Sequence, residues 1–217
     1  MEVAQALIRE RGDAGFSMAL LAERAGVSPA TPYNLLGSKS EILRCVVRDD
    51  IERFVGELKG NSGATALESL LHAADHLVSH YERDRQFHMG LFRAAFSTEA
   101  PEVFGILSTE SAAWWLTLVA AAIDSGEVAH IVRPGQLTNA LLRMMGGVVQ
   151  TWLAASWPPD RFALEMNLSV RLVLASVSTP IRRDTMLREI ADLQTSIDAM
   201  SAEAGPQAMK TRDRPRP

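Results

Sequence analysis

The chain has only one cysteine and no strong excess of either charge. Cys45 is the single cysteine among 217 residues, which excludes a disulfide framework and favours a reducing compartment. We expect Cys45 to be a small buried side chain rather than an oxidant sensor. The formal net charge is −4 at pH 7, so the whole molecule is not a polycation. The first residues, MEVAQALIRERGDAGF, carry charges throughout and lack the apolar stretch of a signal peptide.

Long apolar runs and alternating patterns are also missing. The most apolar stretch, SAAWWLTLVAAAI, is bounded by Glu110 and Asp124 and is shorter than the roughly 20 residues that a membrane span needs. No alternation of apolar and polar residues is long enough to predict a sheet. Hydrophobic residues make up 47% of the chain and charged residues 22%, as in ordinary globular proteins. We therefore expect a cytoplasmic, all-α protein with a sizeable core.

Helical periodicity extends over nearly the whole sequence. Capping and breaker residues predict about ten helices, three of them short and ahead of Ser38. The later helices are predicted at 39–59, 64–82, 85–97, 101–125, 134–156, 160–178 and 183–203. We predict three regions, which are an N-terminal domain over 1–47, a larger helical domain over 48–204 and a flexible basic tail over 205–217.

Two prolines lie inside this helical pattern, in the segment GVSPATPYNLLGSK. Pro29 suits the first position of a helix, and Pro32 falls close to the helix start. Both are compatible with one short helix over 29–35, for which Ser28 is the predicted N-cap. This helix and the one before it are joined by AGVS, which is typical of a helix-turn-helix whose second helix enters a DNA major groove.

Two other helix starts carry polar capping residues. Ser17 is the predicted N-cap of the second helix, and Ser38 with Glu41 is a predicted capping box that begins the long fourth helix.

The run FSMALLAERAGVSPATPYNLLGSKSEIL resembles the N-terminal signature of the TetR family of ligand-responsive transcriptional regulators. The matching positions are Leu21-Ala22, Ala25 to Ser28, Thr31 and Tyr33, Leu36, and Ser38 to Ile42. The resemblance covers about the first 47 residues, and beyond them only the helix lengths are similar. It implies a three-helix DNA-binding domain, joined through the long fourth helix to a ligand-binding and dimerisation domain.

The resemblance also implies which residues contact DNA. Helix starts favour phosphate, while the exposed side of the third helix reads base edges. Asn34 is suited to adenine, and Ala30 and Thr31 to a thymine methyl group. The predicted DNA-binding residues are Ser17, Ala19, Ser28, Pro29, Ala30, Thr31, Tyr33, Asn34 and Lys39. For Leu36, packing between the first and fourth helices is the preferred interpretation.

The charge of this domain does not favour tight binding to DNA. Residues 1–59 carry eight Lys and Arg against nine Asp and Glu, and the third helix has no cation. Protein–DNA affinity depends largely on neutralised phosphates. Either a basic arm precedes this sequence, or affinity comes from helix caps, hydroxyls and the local placement of Lys39 and Arg44.

Aromatic and imidazole rings are concentrated in the helices between residues 64 and 125, and Met89 lies among them. A pocket of this composition suits an apolar or aromatic small molecule. The predicted ligand-binding residues are His72, His76, Phe87, Met89, Phe92, Phe96, Trp114, Trp115, Met144 and Trp152. Plain core packing is the alternative for each of them.

Three histidines, His72, His76 and His80, recur at four-residue spacing on one side of a helix. Such a stripe can hold Zn²⁺ if a carboxylate joins it, and Asp75 and Glu82 are near in sequence. Since Asp75 lies off the stripe and no cysteine is close, we expect neither a metal nor a cofactor. A polar pocket wall or plain surface is the preferred interpretation.

The helices at 134–156 and 160–178 are apolar on more than one side, so each needs partners in two directions. One partner can be the core of the chain and the other a second subunit related by a two-fold axis. The resemblance places a four-helix dimer interface here. The predicted interface residues are Leu141, Val148, Phe162, Met166, Val170, Val173 and Val177.

Three functions compete. The first is a homodimeric TetR-like repressor that an apolar or aromatic ligand releases from a pseudo-palindromic DNA operator. The second is a ligand-binding helical dimer that has lost tight DNA binding. The third, an enzyme, lacks support because the sequence has no nucleophile elbow, phosphate loop or His-Glu metal motif. The expected partners are double-stranded DNA, a small ligand and a second copy of the chain, with no membrane.

Overall fold

The computed structural model describes residues 1–11, 16–58, 65–97 and 101–210, and over these residues it contains ten α-helices and no strand. The predicted all-α class is confirmed. The helices are α1 (Glu2–Arg11), α2 (Met18–Arg24), α3 (Ala30–Leu36), α4 (Lys39–Leu58), α5 (Ala66–Arg83), α6 (Arg85–Ala95), α7 (Pro101–Asp124), α8 (Pro134–Ala155), α9 (Pro159–Val177) and α10 (Pro180–Lys210).

The last helix is longer than predicted. α10 begins at Pro180 and continues to Lys210, whereas the sequence pattern predicted an end at residue 203. The first part of the predicted flexible tail, residues 205–210, is therefore helical. The rest of the predicted tail, residues 211–217, lies outside the described residues.

Two of the three predicted helix starts have the expected caps. The Ser17 hydroxyl accepts a hydrogen bond from the Leu20 N–H at 3.1 Å. In the capping box, the Ser38 N–H donates to the Glu41 carboxylate at 2.6 Å, and the Glu41 N–H donates to the Ser38 hydroxyl at 3.3 Å. Each bond satisfies a backbone N–H that the helix itself leaves unpaired.

The predicted cap of α3 was wrong. The Ser28 hydroxyl lies 2.8 Å from the Thr31 hydroxyl instead of bonding a backbone N–H, and Pro29 occupies the N-cap position without a side-chain hydrogen bond. The first turn of α3 is tied by the Thr31 N–H, which donates to the Ser28 carbonyl at 3.0 Å. Pro32 is the buried residue of α3.

Two hydrophobic clusters organise the molecule, and α4 contributes to both. The N-terminal core consists of apolar side chains from α1, α2 and the first half of α4, together with α6 and the start of α7. The bundle core lies among α5, α7, α8, α9 and α10. Ile42, Leu43 and Val46 of α4 belong to the N-terminal core, whereas Phe54 belongs to the bundle core. A rotation of α4 would therefore displace side chains in both clusters.

Ion pairs reinforce the attachment of the N-terminal helices to the bundle. Arg9 of α1 binds Asp84 at the start of α6 through its Nε, at 2.9 Å, and its Nη2, at 2.6 Å. Glu110 of α7 receives Arg48 at 2.8 Å and Arg44 at 3.4 Å, both from α4.

These contacts of Glu110 predict an acid-sensitive contribution to stability. Hydrogen bonding from Arg48 outweighs the opposing effect of burial and lowers the pKa of Glu110 below the ordinary carboxyl value. Because the unfolded chain binds this proton more tightly, the carboxylate stabilises the fold above its unfolded pKa, and the stabilisation is lost as the pH falls through its folded pKa. We expect Glu110→Gln to lower the free energy of unfolding at neutral pH and to be nearly neutral in acid. Urea unfolding over a pH series measures this, and a difference that stays constant into acid would contradict it.

α7 is unusually apolar. Within Glu102–Asp124 an 18-residue window reaches a mean hydropathy of 1.4, which by length and composition alone is enough to span a bilayer. The window is not free of charge, so the prediction that no uncharged run approaches about 20 residues holds. Glu110 lies inside the stretch and is engaged by the two arginines of α4. Val103, Val119 and Ile123 of the same helix are buried in the two cores. The helix is thus a packed element of the bundle.

Candidate DNA-binding surface and buried cavity

The predicted DNA-binding residues are all at least partly accessible to solvent. Ser17, Ala19, Ser28, Pro29, Ala30, Tyr33 and Asn34 are exposed, and Thr31 and Lys39 are half-buried. The Lys39 ammonium lies 5.5 Å from the ring centroid of Phe16, which holds this cation close to the start of α4. Leu36 is 40% exposed, so its predicted role as a core residue was wrong. The exposed side of α3 has the apolar and hydroxyl groups suited to a major groove.

Most arginines described within residues 1–58 are engaged by carboxylates. Arg24 pairs with Glu10 at 2.8 Å, and Arg53 pairs with Asp50 at 2.8 Å. Arg44, a predicted local cation for DNA, points instead to Glu110. Much of the positive charge near the N-terminal domain is thus neutralised within the molecule.

A cavity lies where α4, α5, α6 and α7 meet. Its lining residues are Val47, Asp50, Ile51, Phe54, Leu77, His80, Tyr81, His88, Leu91, Phe92, Leu107, Ser111, Trp114 and Trp115. Its volume is about 40 Å³, and a water molecule needs at least about 10–15 Å³. The cavity therefore has room for a few small groups, and a larger ligand would have to displace its walls.

One wall of the cavity is aromatic. The ring of Phe54 meets Trp114 edge-on at 5.2 Å and His80 at 5.3 Å between centroids. Trp114 meets Trp115 in the same way at 5.0 Å. Such edge-to-face contacts stabilise packing beyond the buried area alone. Because Phe54 belongs to α4, a displacement of this wall would act directly on that helix.

Next to the aromatic wall, a polar wall contains a buried carboxylate between two imidazoles. Nε2 of His80 lies 3.3 Å from Oδ1 of Asp50, and Nε2 of His88 lies 3.1 Å from Oδ2. Burial alone would raise the pKa of Asp50, but hydrogen bonding to the two histidines dominates and holds it well below its usual range. Burial would lower the pKa of His80, but Asp50 and Glu57 together raise it above the ordinary histidine value.

The histidine stripe of α5 extends from this wall towards solvent. Oε2 of Glu57 lies 3.0 Å from Nε2 of His76 and 3.1 Å from Nδ1 of His80. His72 is the neighbour of His76, at 6.2 Å between ring centroids. Glu57 of α4, rather than Asp75 or Glu82, is thus the carboxylate that joins the stripe.

Three of the ten predicted ligand-binding residues, Phe92, Trp114 and Trp115, line the cavity. Trp152 instead stacks on Phe162 in the bundle core, and Phe87 lies in the N-terminal core. The other predicted residues, His72, His76, Met89, Phe96 and Met144, are half-buried and do not line it.

Sequence reasoning missed the polar wall. Asp50 stands four residues after Val46 and four before Phe54, so it lies on the apolar side of α4. A carboxylate in that position is a recognisable signal of a buried polar site. His88, on the short helix α6, gave no comparable signal.

Five of the seven predicted dimer-interface residues are buried inside the single chain. Leu141, Phe162, Met166, Val170 and Val177 are at most 9% exposed and belong to the bundle core. They pack this chain's own interior, so the predicted interface has to be revised for them.

The other two, Val148 and Val173, are half-buried. Leu164, Leu168 and Leu172 recur every four residues on α9, and Leu172 is 51% exposed. These side chains leave apolar surface on α8 and α9 that the chain itself does not fully cover.

Residues 1–46 match the sequence profile of the bacterial regulatory proteins of the tetR family. Over these residues, about a fifth of the chain, the protein is similar to the TetR family. No curated protein matches it significantly in sequence.

Solved TetR-family structures resemble most of the chain. RolR in complex with its ligand resorcinol superimposes with a TM-score of 0.66 at 19% identity, covering 88% of this chain and 89% of RolR. TylP, a TetR regulator from Streptomyces fradiae, superimposes with a TM-score of 0.64 at 17% identity, covering 99% of this chain and 90% of TylP. A TetR transcriptional regulator from Rhodococcus sp. RHA1 superimposes with a TM-score of 0.60 at 18% identity, covering 82% of this chain and 94% of that protein. The TetR-family regulator fold thus extends beyond the matched N-terminal residues.

Proposed function

We propose that this TetR-family protein is a cytoplasmic, DNA-binding transcriptional repressor. In this proposal a homodimer binds a pseudo-palindromic operator, and an apolar or aromatic small molecule releases it. The observation that carries the proposal is the exposed side of α3, which displays Ala30, Tyr33 and Asn34 on a short helix packed against α2.

The cavity supports an aromatic ligand. Its wall of Phe54, Trp114 and Trp115 offers edges and faces for an aromatic ring. RolR, which shares the fold at 19% identity, was solved with resorcinol, a compound named as its ligand. A ligand of this size must enlarge a cavity of about 40 Å³, and the movement of the wall supplies the signal.

The path of that signal is α4. A ligand that displaces Phe54 moves the second half of the helix, while Ile42 and Leu43 carry the movement into the N-terminal core. In a dimer, a rotation of each α4 changes the separation of the two α3 helices, which must fit major grooves about one DNA turn apart.

Dimerisation is proposed through α8 and α9. The apolar surface that remains there includes Val148, Val173 and Leu172. Two copies joined by a two-fold axis would present two α3 helices to the two half-sites of an operator.

The paired arginines favour a second candidate, a ligand-binding dimer without tight DNA binding. Arg24 and Arg44 are engaged by Glu10 and Glu110 and offer less charge to phosphates. A salt titration of binding to DNA fragments flanking the gene decides between the two. Saturable, sequence-dependent binding supports the repressor, whereas weak binding that is equal on all fragments supports the second candidate.

Two substitutions test the division of labour on the DNA surface. We expect Asn34→Ala to reduce discrimination among operator variants by about 1–3 kcal/mol, because the amide is suited to a base edge. Lys39→Ala should weaken binding to all sequences equally and reduce the salt slope by about one unit. Fluorescence anisotropy with matched and mutated operators measures both effects. Equal loss of discrimination in the two variants would contradict the assignment.

A further inference from the structure

We propose that Asp50, His80 and His88 bind a divalent first-row transition metal ion such as Zn²⁺. The three residues come from α4, α5 and α6, so the ion would join α4 to α5 of the bundle and to α6. This site goes beyond the proposed function and does not depend on DNA binding. It also differs from the stripe of His72, His76 and His80 that the sequence suggested.

The donor atoms lie close enough together to converge on one ion. One ligand atom from each residue lies within 4.8 Å of the others. The two imidazole nitrogens are 3.3 and 3.1 Å from the Asp50 oxygens. Donors that share one tetrahedral Zn²⁺ at about 2.0–2.1 Å are separated by about 3.3 Å. His80 faces Oδ1 and His88 faces Oδ2, so the three side chains must close in slightly to share one ion.

The second nitrogen of each ring is held as metal-ligating histidines require. Nδ1 of His88 lies 3.1 Å from the Tyr81 carbonyl and 3.0 Å from the Asp84 carbonyl. Since a carbonyl only accepts, Nδ1 of His88 carries the proton. Nδ1 of His80 lies 3.1 Å from the Glu57 carboxylate, which likewise only accepts. Backbone carbonyls and carboxylates in these positions fix the tautomer that directs Nε2 towards a metal.

This arrangement directs both Nε2 atoms at an acceptor. A neutral ring protonated on Nδ1 has a lone pair on Nε2, and two such lone pairs facing the Asp50 carboxylate repel it. This repulsion is removed either by a second proton on each ring or by one metal cation bound among the three donors. Arg53 donates to Oδ1 of Asp50 at 2.8 Å, as groups around a ligating carboxylate commonly do.

The donor set selects the class of metal. Two imidazoles and a carboxylate suit Zn²⁺, Fe²⁺, Ni²⁺ or Cu²⁺ better than Mg²⁺ or Ca²⁺, which prefer oxygen ligands. The only cysteine, Cys45, is exposed and, contrary to expectation, is not a core residue. Three protein ligands leave a coordination position open. The adjoining cavity of about 40 Å³ has room for a water molecule or for one donor atom of a ligand.

Direct metal binding to the tag-free, full-length chain tests the site. After chelator treatment, Zn²⁺ and, separately, Co²⁺ are titrated in without DNA. We expect one ion per chain, with the visible absorption of a low-symmetry Co²⁺ complex that contains nitrogen ligands. Anomalous diffraction from a Zn²⁺-soaked crystal should place the ion among Asp50, His80 and His88. No saturable binding, or an ion found only elsewhere, would overturn the proposal.

Variants assign the affinity to these residues. His88→Gln should abolish stoichiometric binding, and Glu57→Gln should weaken it about 10–100-fold because Glu57 positions His80. His130→Gln is the matched control, since His130 is exposed and outside the cluster. Circular dichroism checks that each variant remains helical. A folded His88→Gln variant that binds Zn²⁺ as wild type does would refute the site, and if that variant does not fold, the position of the ion in the wild-type crystal decides.

Discussion

Replacing Trp152 by alanine is expected to lower the free energy of unfolding by about 3–5 kcal/mol, as for other large buried aromatic residues. Trp152 is fully buried, and its ring stacks on Phe162 at 4.4 Å with an angle of 6° between the planes. The guanidinium of Arg85 lies 5.0 Å from the Trp152 ring. The substitution leaves a cavity where α8 meets α9, and neighbouring side chains can fill it only in part. Urea unfolding followed by circular dichroism measures the loss.

Trp157→Ala is the matched control for this experiment. Trp157 is half-buried and lies under Arg161, at 5.7 Å from guanidinium to ring centroid. The same chemical change should cost much less there, about 1 kcal/mol, because the site is open to water. Similar decreases in the free energy of unfolding of the two variants would show that the stack of Trp152 on Phe162 does not stabilise the bundle core more than an exposed tryptophan does.

Bound operator DNA is expected to weaken ligand binding about 5–150-fold. A ligand that shifts α4 towards the released form by about 1–3 kcal/mol weakens DNA binding by that factor, and linkage makes the effect reciprocal. The measurement uses an aromatic ligand identified by thermal-shift screening, titrated calorimetrically with and without a saturating operator fragment. A scrambled fragment of equal length is the control.

One variant ties this coupling to the cavity. Phe54→Leu keeps an apolar side chain on α4 but removes the ring that contacts Trp114 at 5.2 Å. The coupling should shrink in this variant even if the ligand still binds. If operator DNA leaves ligand affinity unchanged in the wild type, transmission through α4 is ruled out for that ligand.

Helix-level features were predictable because their causes are local. The capping box of Ser38 and Glu41 and the cap at Ser17 depend on residues within one turn, and both formed as predicted. Ser28 failed as a cap because its hydroxyl found another local partner, Thr31. Local competition of this kind is not visible from residue preferences alone.

The cavity was only partly predictable because it depends on how four helices meet. Trp114 and Trp115 were found from their aromatic character. The pairing of Asp50 with His88 joins residues 38 positions apart in sequence, and no periodicity connects them. Burial of Phe162 inside the chain likewise depends on α8 and α9 facing each other, so a broad apolar surface could not reveal which side faces inwards.

The shared N-terminal core limits how such a regulator can be recombined. Phe87, Leu91 and Ile106 come from α6 and α7, yet they pack with α1, α2 and α4. A fragment that ends with α4 would expose the apolar surface that these side chains cover. We therefore expect that α1 to α4 alone cannot be exchanged between regulators as an independently folding domain. A functional chimera should take α6 and the start of α7 from the same protein as the helix-turn-helix, because they share one core.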